Sequence, residues 1–527
     1  MRDILLAVDV GTGSARAGVF DKGGELMSRA VNPILIHRPR ENHAEHDSED
    51  IWAAVCQSVR QALAAAAIAP GRVAAIGFDA TCSLVVRDRQ GDQLSVSTSG
   101  GNAYDTLVWL DHRALAEADF LTGSEHPILE YVGHFMSPEM EMPKLMWLKK
   151  NLPDTWERMG YAFDLADFLT WKATGSTQRS RCTLTAKWNY VAHEKPSWKA
   201  DFLNMIGLGD LLVRAGLPEE TVPAGGVIGH LSDRAAEDLG LDTGCMVAAG
   251  LIDAYAGALG VLGAYADPGT DLDSHVAMIA GTSSCIVAFS NEKRPSRGLW
   301  GPYYEAVFPG YWLVDAGQSA TGALLDHVIA MHAAGGEPNS NRHQSIIRRI
   351  GELQQMEGGD IAPRLHVLPD FHGNRSPLAD PHAVGVISGL TLDTSFDGLC
   401  RLYWRTCVSI AFGIRHVLET MNGYGYRPGT LHITGGHVRN PLLMQLYADV
   451  TGCDVVVAET GDAVLLGTAM SAAVGGGLYP DLASAGRAMD AGGRTIRPDA
   501  IRREAYDRDF RKYLAMIRHR AELDAIV

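Results

Sequence analysis

The sequence has 527 residues, of which 46% are hydrophobic and 20% charged, and its formal net charge is −16. This composition is typical of a globular protein, and at roughly 100–200 residues per domain the length allows two to four domains. The acidic balance, with no basic stripe to offset it, argues against a nucleic-acid partner, and the lack of an apolar run of ~18–20 residues argues against a membrane span.

The first element, Ile4–Val8, is a short apolar run that predicts a buried strand, and it leads into Asp9. A second strand over Ala15–Phe20 and a third near Glu25–Arg29 follow. The turn between the first two strands consists of small residues, namely Gly11, Thr12, Gly13 and Ser14. Glycines let backbone N–H groups approach a phosphate closely, the two hydroxyls add donors, and Asp9 is placed to hold a hydrated cation. The alternative is an ordinary glycine-rich hairpin.

A helix over Glu49–Ala67 is predicted next, because apolar residues recur along one face behind an acidic first turn. Strands over Val73–Phe78 and Ser83–Arg87 follow it. Thr81 and Cys82 lie between these strands, on a strand-end loop. The chain so far therefore has the order β-β-β-α-β.

Three side chains suited to sugar recognition come together at Trp109, Asp111 and His112. A tryptophan packs against a sugar face while neighbouring polar groups bond its hydroxyls. The alternative is a helix entry with a core tryptophan. Further on, Lys187 precedes a tryptophan, where it could reach a substrate oxygen or could equally be a surface lysine over an aromatic ring.

Asp253 follows a small-residue strand predicted over Met246–Ala249 and opens the run Asp253–Gly260. A carboxylate at a strand-to-helix junction, flanked by small residues, lets a substrate come close. We therefore favour a catalytic role for Asp253 over the alternative of a helix-capping aspartate.

The stretch Ala277–Phe289 repeats the layout of the first hairpin, with an apolar strand on either side of a turn. That turn contains Gly281, Thr282, Ser283 and Ser284. A short motif repeated about half a chain apart predicts two related domains that face each other, with both hairpins gripping one polyphosphate.

The second half continues with Gly317–Gly322, which contains Gln318 and enters a predicted helix over Ala323–Ala333. A long helix is predicted over Phe396–Asn422. The tail from Asp481 is predicted to be charged, mostly helical surface.

A last turn motif follows a strand predicted over Leu431–Thr434. Gly435 and Gly436 make a turn that suits an adenine ring lying on bare backbone. Asn440 is a good N-cap, and a proline at the first helical position comes directly after it.

The paired hairpins resemble the phosphate-1 and phosphate-2 loops of the actin/hexokinase/Hsp70 ATPase superfamily. The order of all these motifs resembles the FGGY family of carbohydrate kinases over essentially the whole chain. That resemblance implies an α/β fold with two actin-like (ribonuclease H-like) domains, placed at 1–257 and 258–527, and an active-site cleft between them. It also implies that the protein binds ATP, Mg²⁺ and a polyol.

The resemblance implies a role for each motif. Asp253 would be the general base, and Asp9 with Asp253 would organise Mg²⁺. The nucleotide-binding residues would be Gly11, Thr12, Gly13, Ser14, Gly281, Thr282, Ser283, Gln318, Gly322, Gly435, Gly436 and Asn440. The sugar-binding residues would be Thr81, Cys82, Trp109, Asp111, His112, Lys187 and Asp253.

The segment beginning at Thr81 reads Thr-Cys-Ser-Leu-Val, which resembles the signature of the D-ribulokinase group. It favours D-ribulose as the sugar, phosphorylated on its terminal hydroxyl. L-ribulose, D-xylulose, ribitol and glycerol stay open, because a few hydroxyl contacts decide among them. The rival class is an actin-like ATPase or sugar sensor without transferase activity.

The eight cysteines are scattered, with no C-x-x-C pair, which predicts reduced thiols in the cytoplasm. The start of the sequence lacks the layout of a signal peptide, which favours the same location. A homodimer is plausible by the family resemblance.

Overall fold

The computed structural model of the chain describes residues 2–101, 103–267, 270–358 and 361–526. The strands, in chain order, are β1 (Ile4–Val10), β2 (Ser14–Asp21), β3 (Leu26–Pro33), β4 (Glu45–His46), β5 (Val73–Ala80), β6 (Leu84–Asp88), β7 (Thr106–Leu107), β8 (Met159–Asp164), β9 (Val227–His230), β10 (Met246–Ala248), β11 (Leu251–Ile252), β12 (His275–Ala280), β13 (Ser284–Ser290), β14 (Trp300–Tyr304), β15 (Trp312–Gln318), β16 (His366–Leu368), β17 (Val386–Ser388), β18 (Thr430–Thr434), β19 (Asp454–Ala458) and β20 (Gly493–Ile496).

The α-helices, in chain order, are α1 (Ser48–Ala66), α2 (Leu115–Gly123), α3 (Glu141–Asn151), α4 (Pro153–Arg158), α5 (Leu165–Thr174), α6 (Arg181–Lys187), α7 (Ala200–Met205), α8 (Leu211–Arg214), α9 (Asp233–Leu239), α10 (Asp253–Leu262), α11 (Gly322–Met331), α12 (Ser340–Glu357), α13 (Phe396–Gly423), α14 (Pro441–Thr451), α15 (Ala463–Gly475), α16 (Leu482–Met489) and α17 (Ala500–Asp524). In the described ranges, no helix is long and apolar enough to cross a membrane.

The chain divides into two compact units. Unit 1 comprises Met1–Leu272, Phe289–Val314 and Thr460–Gly492, and unit 2 comprises Asp273–Ala288, Asp315–Glu459 and Gly493–Val527. Each unit contains a sheet with helices, so the predicted α/β class with two sheet-containing domains is confirmed. The single division between residues 257 and 258 stays a prediction.

The main sheet of unit 1 has the strand order β3-β2-β1-β5-β10-β9, and the short strand β11 also pairs with β5. β1 is parallel to β5, and β5 is parallel to both β10 and β11. All residues of β1 and β5 are buried, which explains their continuous apolar runs. The carboxyl ends of β1, β5 and β11 therefore meet at one edge of the sheet.

Helix α1 shows why the predicted β-β-β-α-β module forms. Asp47 caps it by accepting a hydrogen bond from the N–H of Glu49. Ile51, Val55 and Val59 are fully buried along one face, and each contributes roughly 1.5–3 kcal/mol by leaving water. The strand predicted near Glu25–Arg29 extends further, to Pro33.

Helix α15 packs on the same sheet of unit 1, although its sequence lies far from those strands. A Cβ at Gly77 of β5 would lie 2.7 Å from the carbonyl oxygen of Thr468 on α15. The close approach therefore depends on glycine at this position. It brings the side chain of Thr468 to the carboxyl end of β5.

The sheet of unit 2 contains β13-β12-β18-β19-β20 in that order. β12 is parallel to β18 and β18 to β19, whereas β20 is antiparallel to β19. The tail predicted to be mostly helical contains α16 and α17, and β20 is a short strand between them. The strand forms there because it gains a ladder along β19.

Candidate active site

Three aspartates come together at the carboxyl edge of the unit 1 sheet. Asp9 and Asp79 are register partners on the parallel strands β1 and β5, and Asp79 is also the partner of Leu251 on β11. Asp253 follows β11 directly and is the first residue of α10. Asp9 and Asp79 are almost fully buried, while Asp253 is partly exposed. The N–H of Ala254 donates to Asp253 Oδ1 at 2.7 Å, which fixes the carboxylate at the helix start.

The charge of Asp9 is balanced by Arg16. The guanidinium of Arg16 pairs with Asp9 and also reaches Asp462 Oδ2 at 3.0 Å. Asp462 is in turn the N-cap of α15, where it accepts from the N–H of Leu465. Arg16 therefore links the strand end that bears Asp9 to the start of α15.

Asp79 is a carboxyl group to which the sequence analysis gave no role. Thr468 Oγ1 donates to its Oδ2 at 2.5 Å, and its Oδ1 is buried with no hydrogen-bond partner among the described residues. Burial raises the pKa of Asp79 well above its ordinary value, and the neighbouring charge of Asp253 acts in the same direction. The signal available in the sequence was its position at the end of an apolar strand, two residues before Thr81.

The first hairpin turn is accessible to solvent: Gly13 is exposed, and the other three residues of the turn are partly exposed. The N–H of Gly11 donates to the carbonyl of Ser14 at 3.0 Å, and the carbonyl of Gly13 accepts from the N–H of Ile34 at 3.0 Å. Trp109 Nε1 donates to Thr12 Oγ1 at 2.9 Å, so the tryptophan predicted to face a sugar contacts the turn predicted to face phosphates. Within the described part of the chain, the N–H groups of Thr12 and Gly13 donate to no backbone carbonyl.

Thr81 and Cys82 are both more than nine-tenths buried beside this turn. The hydroxyls of Thr81 and Ser83 lie 3.3 Å apart, and Ser83 Oγ accepts from the N–H of Trp109 at 3.2 Å. Burial raises the pKa of the Cys82 thiol well above its ordinary value, which keeps it protonated. Lys187 is close enough to act on this thiol electrostatically, and its Nζ lies 4.4 Å from the ring centroid of Trp300.

Asp111 and His112 have different surroundings. Asp111 is fully buried, and its carboxylate accepts from the Arg113 guanidinium and from the N–H of Ala44 at 2.6 Å. It shapes the loop that carries Trp109, and its contact with a sugar stays a prediction. His112 Nε2 lies 3.8 Å from Glu139 Oε1 on a more exposed surface.

In unit 2, the second hairpin turn lies against the start of α11. The N–H of Gly322 donates to the carbonyl of Gly281 at 3.0 Å, and those of Thr321 and Ala323 donate to the carbonyl of Thr282. A Cβ at Gly322 would lie 2.5 Å from the Gly281 oxygen, so this contact requires glycine. Thr282 itself is exposed, and Ser283 is partly exposed.

Gln318 ends β15 and lies over α13, where a Cβ at Gly413 would overlap its side-chain amide. Its Oε1 is buried without a hydrogen-bond partner in the described residues. An unpaired buried amide oxygen is expensive, so a ligand or ordered water is expected here.

The turn after β18 is exposed at Gly435 and Gly436. Gly435 has a φ of +94°, and a Cβ there would overlap the carbonyl of Ala280. Gly436 has room, since its Cβ would lie 3.9 Å from the same oxygen. Asn440 is the predicted N-cap of α14, accepting from the N–H of Leu443 at 3.2 Å.

His437 was not selected from the sequence, yet it joins two predicted nucleotide-binding turns. Its Nε2 lies 3.1 Å from the carbonyl of Gly281, and its Nδ1 lies 2.9 Å from the hydroxyl of Tyr447. Burial lowers the pKa of His437 to about 4, so the imidazole is neutral at pH 7.

Among the described residues, no group of three or more histidine, cysteine, aspartate or glutamate side chains is arranged to hold a metal ion. A cluster of three or more such side chains is not needed by every cation. A cation can keep most of its waters and bind through one or two carboxylates and the substrate phosphates.

Two family models match the chain: the N-terminal domain of the FGGY family of carbohydrate kinases over residues 4–260, and its C-terminal domain over residues 276–476. An FGGY carbohydrate kinase domain-containing protein of Xenopus laevis is 41% identical over 547 residues, covering 99% of this chain and 98% of the relative. A D-ribulokinase of Saccharomyces cerevisiae is 36% identical over 505 residues, covering 88% of this chain and 71% of the relative. The crystal structure of a xylulose kinase from Rhodospirillum rubrum has the same fold, with a TM-score of 0.79, 21% identity, and coverage of 99% of both chains.

Proposed function

The chain belongs to the FGGY family of carbohydrate kinases and is an ATP-dependent sugar kinase, and we propose that its acceptor is D-ribulose. The product is then D-ribulose 5-phosphate, formed by transfer of the γ-phosphate to the terminal hydroxyl. The proposed chemistry rests on the position of Asp253. This residue is partly exposed at the carboxyl edge of the unit 1 sheet, where Asp9 also lies.

Support for D-ribulose comes from two directions. The D-ribulokinase relative spans most of this chain, and the Thr81-Cys82-Ser83 segment lies beside the turn that contacts Trp109. The other acceptors that stay open are L-ribulose, D-xylulose, ribitol and glycerol.

In the proposed reaction, Asp253 accepts the proton of the attacking hydroxyl. The hydroxyl oxygen forms a bond to the γ-phosphorus while the bond from that phosphorus to the bridging oxygen breaks, and ADP leaves. The transition state of such transfers is loose, so positioning and charge stabilisation dominate. General-base assistance of this kind is typically worth ~10²–10⁴-fold in rate.

The oxygen donors at this edge favour a divalent cation. Asp9, Asp79 and Asp253 present hard oxygen donors, and the unpaired Oδ1 of Asp79 is buried beside them. We propose that Asp9 and Asp253 hold Mg²⁺, with Asp79 outside the direct ligand set. When bound, Mg²⁺ would offset the negative charge of the transferring phosphate.

The two hairpin turns are the proposed phosphate contacts. Thr12 and Ser14 in unit 1 and Thr282 and Ser283 in unit 2 offer hydroxyls and backbone N–H groups on exposed or partly exposed turns. The remaining nucleotide contacts are proposed at Gly11, Gly13, Gly281, Gln318, Gly322, Gly435, Gly436 and Asn440. Gln318 is supported by its unpaired amide oxygen.

The sugar contacts are proposed at Thr81, Cys82, Trp109, His112, Lys187 and Asp253, with Asp111 also predicted from the sequence. The ammonium of Lys187 lies within electrostatic reach of the Cys82 thiol, which supports a role for both buried side chains at one site. Asp111 is proposed to act by holding the Trp109 loop, because Arg113 and Ala44 engage its carboxylate.

The same proposal places the protein in the cytoplasm as a homodimer. The location is supported by the scattered positions of the eight cysteines, which form no C-x-x-C pair. The homodimer is supported by the family resemblance alone.

The test is a coupled ADP-release assay on purified protein with each of the five acceptors, followed by identification of the phosphorylated carbon. We expect the highest kcat/KM for D-ribulose, with the phosphate on C5. A higher kcat/KM for any other acceptor would overturn the substrate assignment. ATP turnover that is the same with and without every acceptor would favour the non-transferase ATPase instead.

A further inference from the structure

The carbonyl oxygen of Gly281 has an unusual number of donors around it. The N–H of Gly322 donates to it at 3.0 Å, and the hydroxyl of Thr321 lies 3.3 Å away. His437 Nε2 lies 3.1 Å from the same oxygen. A carbonyl oxygen has two lone pairs, so this acceptor is saturated and its direction is fixed.

The direction of this carbonyl decides what the turn offers to a ligand. The peptide bond between Gly281 and Thr282 is trans, so its C=O and N–H point in opposite directions. With the carbonyl held toward α11 and His437, the N–H of Thr282 must point away from them. A reversed peptide plane would present an acceptor oxygen to an anionic phosphate in place of a donor. Glycine at 281 makes such a reversal easy, because it has no Cβ to oppose it.

The state of the His437 ring follows from its two partners. The Gly281 carbonyl can only accept, so Nε2 carries the proton. In a neutral imidazole Nδ1 is then an acceptor, and the Tyr447 hydroxyl donates to it at 2.9 Å. His437 is 5% exposed and Tyr447 is fully buried, so water does not compete well for either bond.

We propose that His437 is a positioning residue for ATP: by donating from Nε2 to the Gly281 carbonyl, it holds the Gly281–Thr282 peptide so that the Thr282 N–H faces the nucleotide phosphates. This inference rests on the proposed function of the turn at Gly281–Ser283. His437 also lies directly after Gly436, so the same bond fixes the turn proposed for adenosine against the turn proposed for phosphate.

The test compares His437→Ala with His437→Gln by calorimetric titration with ADP, together with steady-state kinetics. Losing one such hydrogen bond corresponds to about a fivefold effect. We expect His437→Ala to weaken ADP binding and raise KM for ATP about fivefold or more, with KM for the sugar within about twofold of wild type. His437→Gln, whose Nε2 can still donate to Gly281, should recover most of the loss.

Nitrogen-15 NMR of the imidazole supplies a second readout, with Tyr447→Phe as its companion. We expect wild type to show Nε2–H and a bare Nδ1, and Tyr447→Phe to keep this tautomer, because the Gly281 carbonyl still only accepts, with a smaller loss of ADP affinity than His437→Ala. A wild-type signal from Nδ1–H would overturn the proposal. So would a folded His437→Ala variant with unchanged ADP affinity.

The same titrations separate this inference from the proposed function. A wild-type protein that does not bind ADP contradicts the proposed function. A wild type that binds, alongside a His437→Gln variant as weak as His437→Ala, contradicts only the role of the Nε2 donor. Thermal unfolding without nucleotide identifies any variant that has simply lost its fold.

Discussion

Gly435 and Gly436 are adjacent in one turn of unit 2, yet replacing each with alanine should give opposite results. At Gly435 the backbone φ is +94° with ψ of −163°, a region open essentially to glycine, and a Cβ would overlap the carbonyl of Ala280. At Gly436 the Cβ would make only ordinary contacts, 3.9 Å from that oxygen and 4.0 Å from Gly281 Cα.

The magnitudes follow from these contacts. Backbone strain at Gly435→Ala costs about 1–3 kcal/mol, and the overlap adds about 1–3 kcal/mol. At ~2–4 °C per kcal/mol for a body of 150–250 residues, the melting temperature of unit 2 should fall by roughly 4–24 °C. Gly436→Ala should change stability by no more than about 0.5 kcal/mol. Its methyl group would stand where the adenine is proposed to lie, so ADP affinity should fall about tenfold, or ~1.4 kcal/mol.

The assay is differential scanning calorimetry without nucleotide, followed by calorimetric titration with ADP. Gly435→Ala should lower the melting temperature, whereas Gly436→Ala should melt like wild type and bind ADP weakly. The reasoning is refuted if Gly436→Ala is as unstable as Gly435→Ala, or if Gly436→Ala binds ADP as tightly as wild type.

Three further predictions concern unit 1. Trp109→Phe removes the Nε1 donor to Thr12 Oγ1 and should raise KM for ATP about fivefold, and an unchanged KM would exclude this contact from nucleotide binding. Asp9→Asn should shift half-saturation of activity to a higher Mg²⁺ concentration, because a carboxylate ligand is lost, and an unshifted curve would contradict its assignment. Burial raises the pKa of Glu141 to about 7, above its ordinary value of 4.5, so the folded state keeps a proton that the unfolded chain releases in this window. Wild-type stability should therefore fall as pH rises from about 4.5 to 7, by on the order of 3 kcal/mol from this group. The free energy of unfolding of Glu141→Gln, measured in urea at several pH values, should not show this decrease with pH. The same pH dependence in both proteins would show that Glu141 does not titrate as stated.

The hairpins and caps were predictable because their signals are local. Glycine and hydroxyl residues between two apolar runs set each turn, and both hairpins formed where expected. The Asn440-Pro441 start of α14 and its end at Gly452 likewise follow from capping preferences within a few residues.

The partners of the buried polar groups were not predictable, because they come from distant parts of the chain. Thr468 is 389 residues from Asp79, and Asp462 is 446 residues from Arg16. Both contacts depend on α15 packing against the unit 1 sheet, and its small-residue sequence does not specify which strand it covers. The same holds for His437, which is 156 residues from Gly281, and for β20, which needs β19 beside it.

The most direct measurement is phosphoryl transfer by Asp253→Asn, compared with wild type and with Asp242→Asn, a control at a partly exposed aspartate. The account predicts that Asp253→Asn folds and binds ADP within about threefold of wild type, while D-ribulose phosphorylation falls by ~10²–10⁴-fold. Asp242→Asn should retain both properties, because its carboxylate pairs only with Arg2 and the adjoining backbone among the described residues. Full turnover in Asp253→Asn would contradict the assignment of this carboxylate as the base.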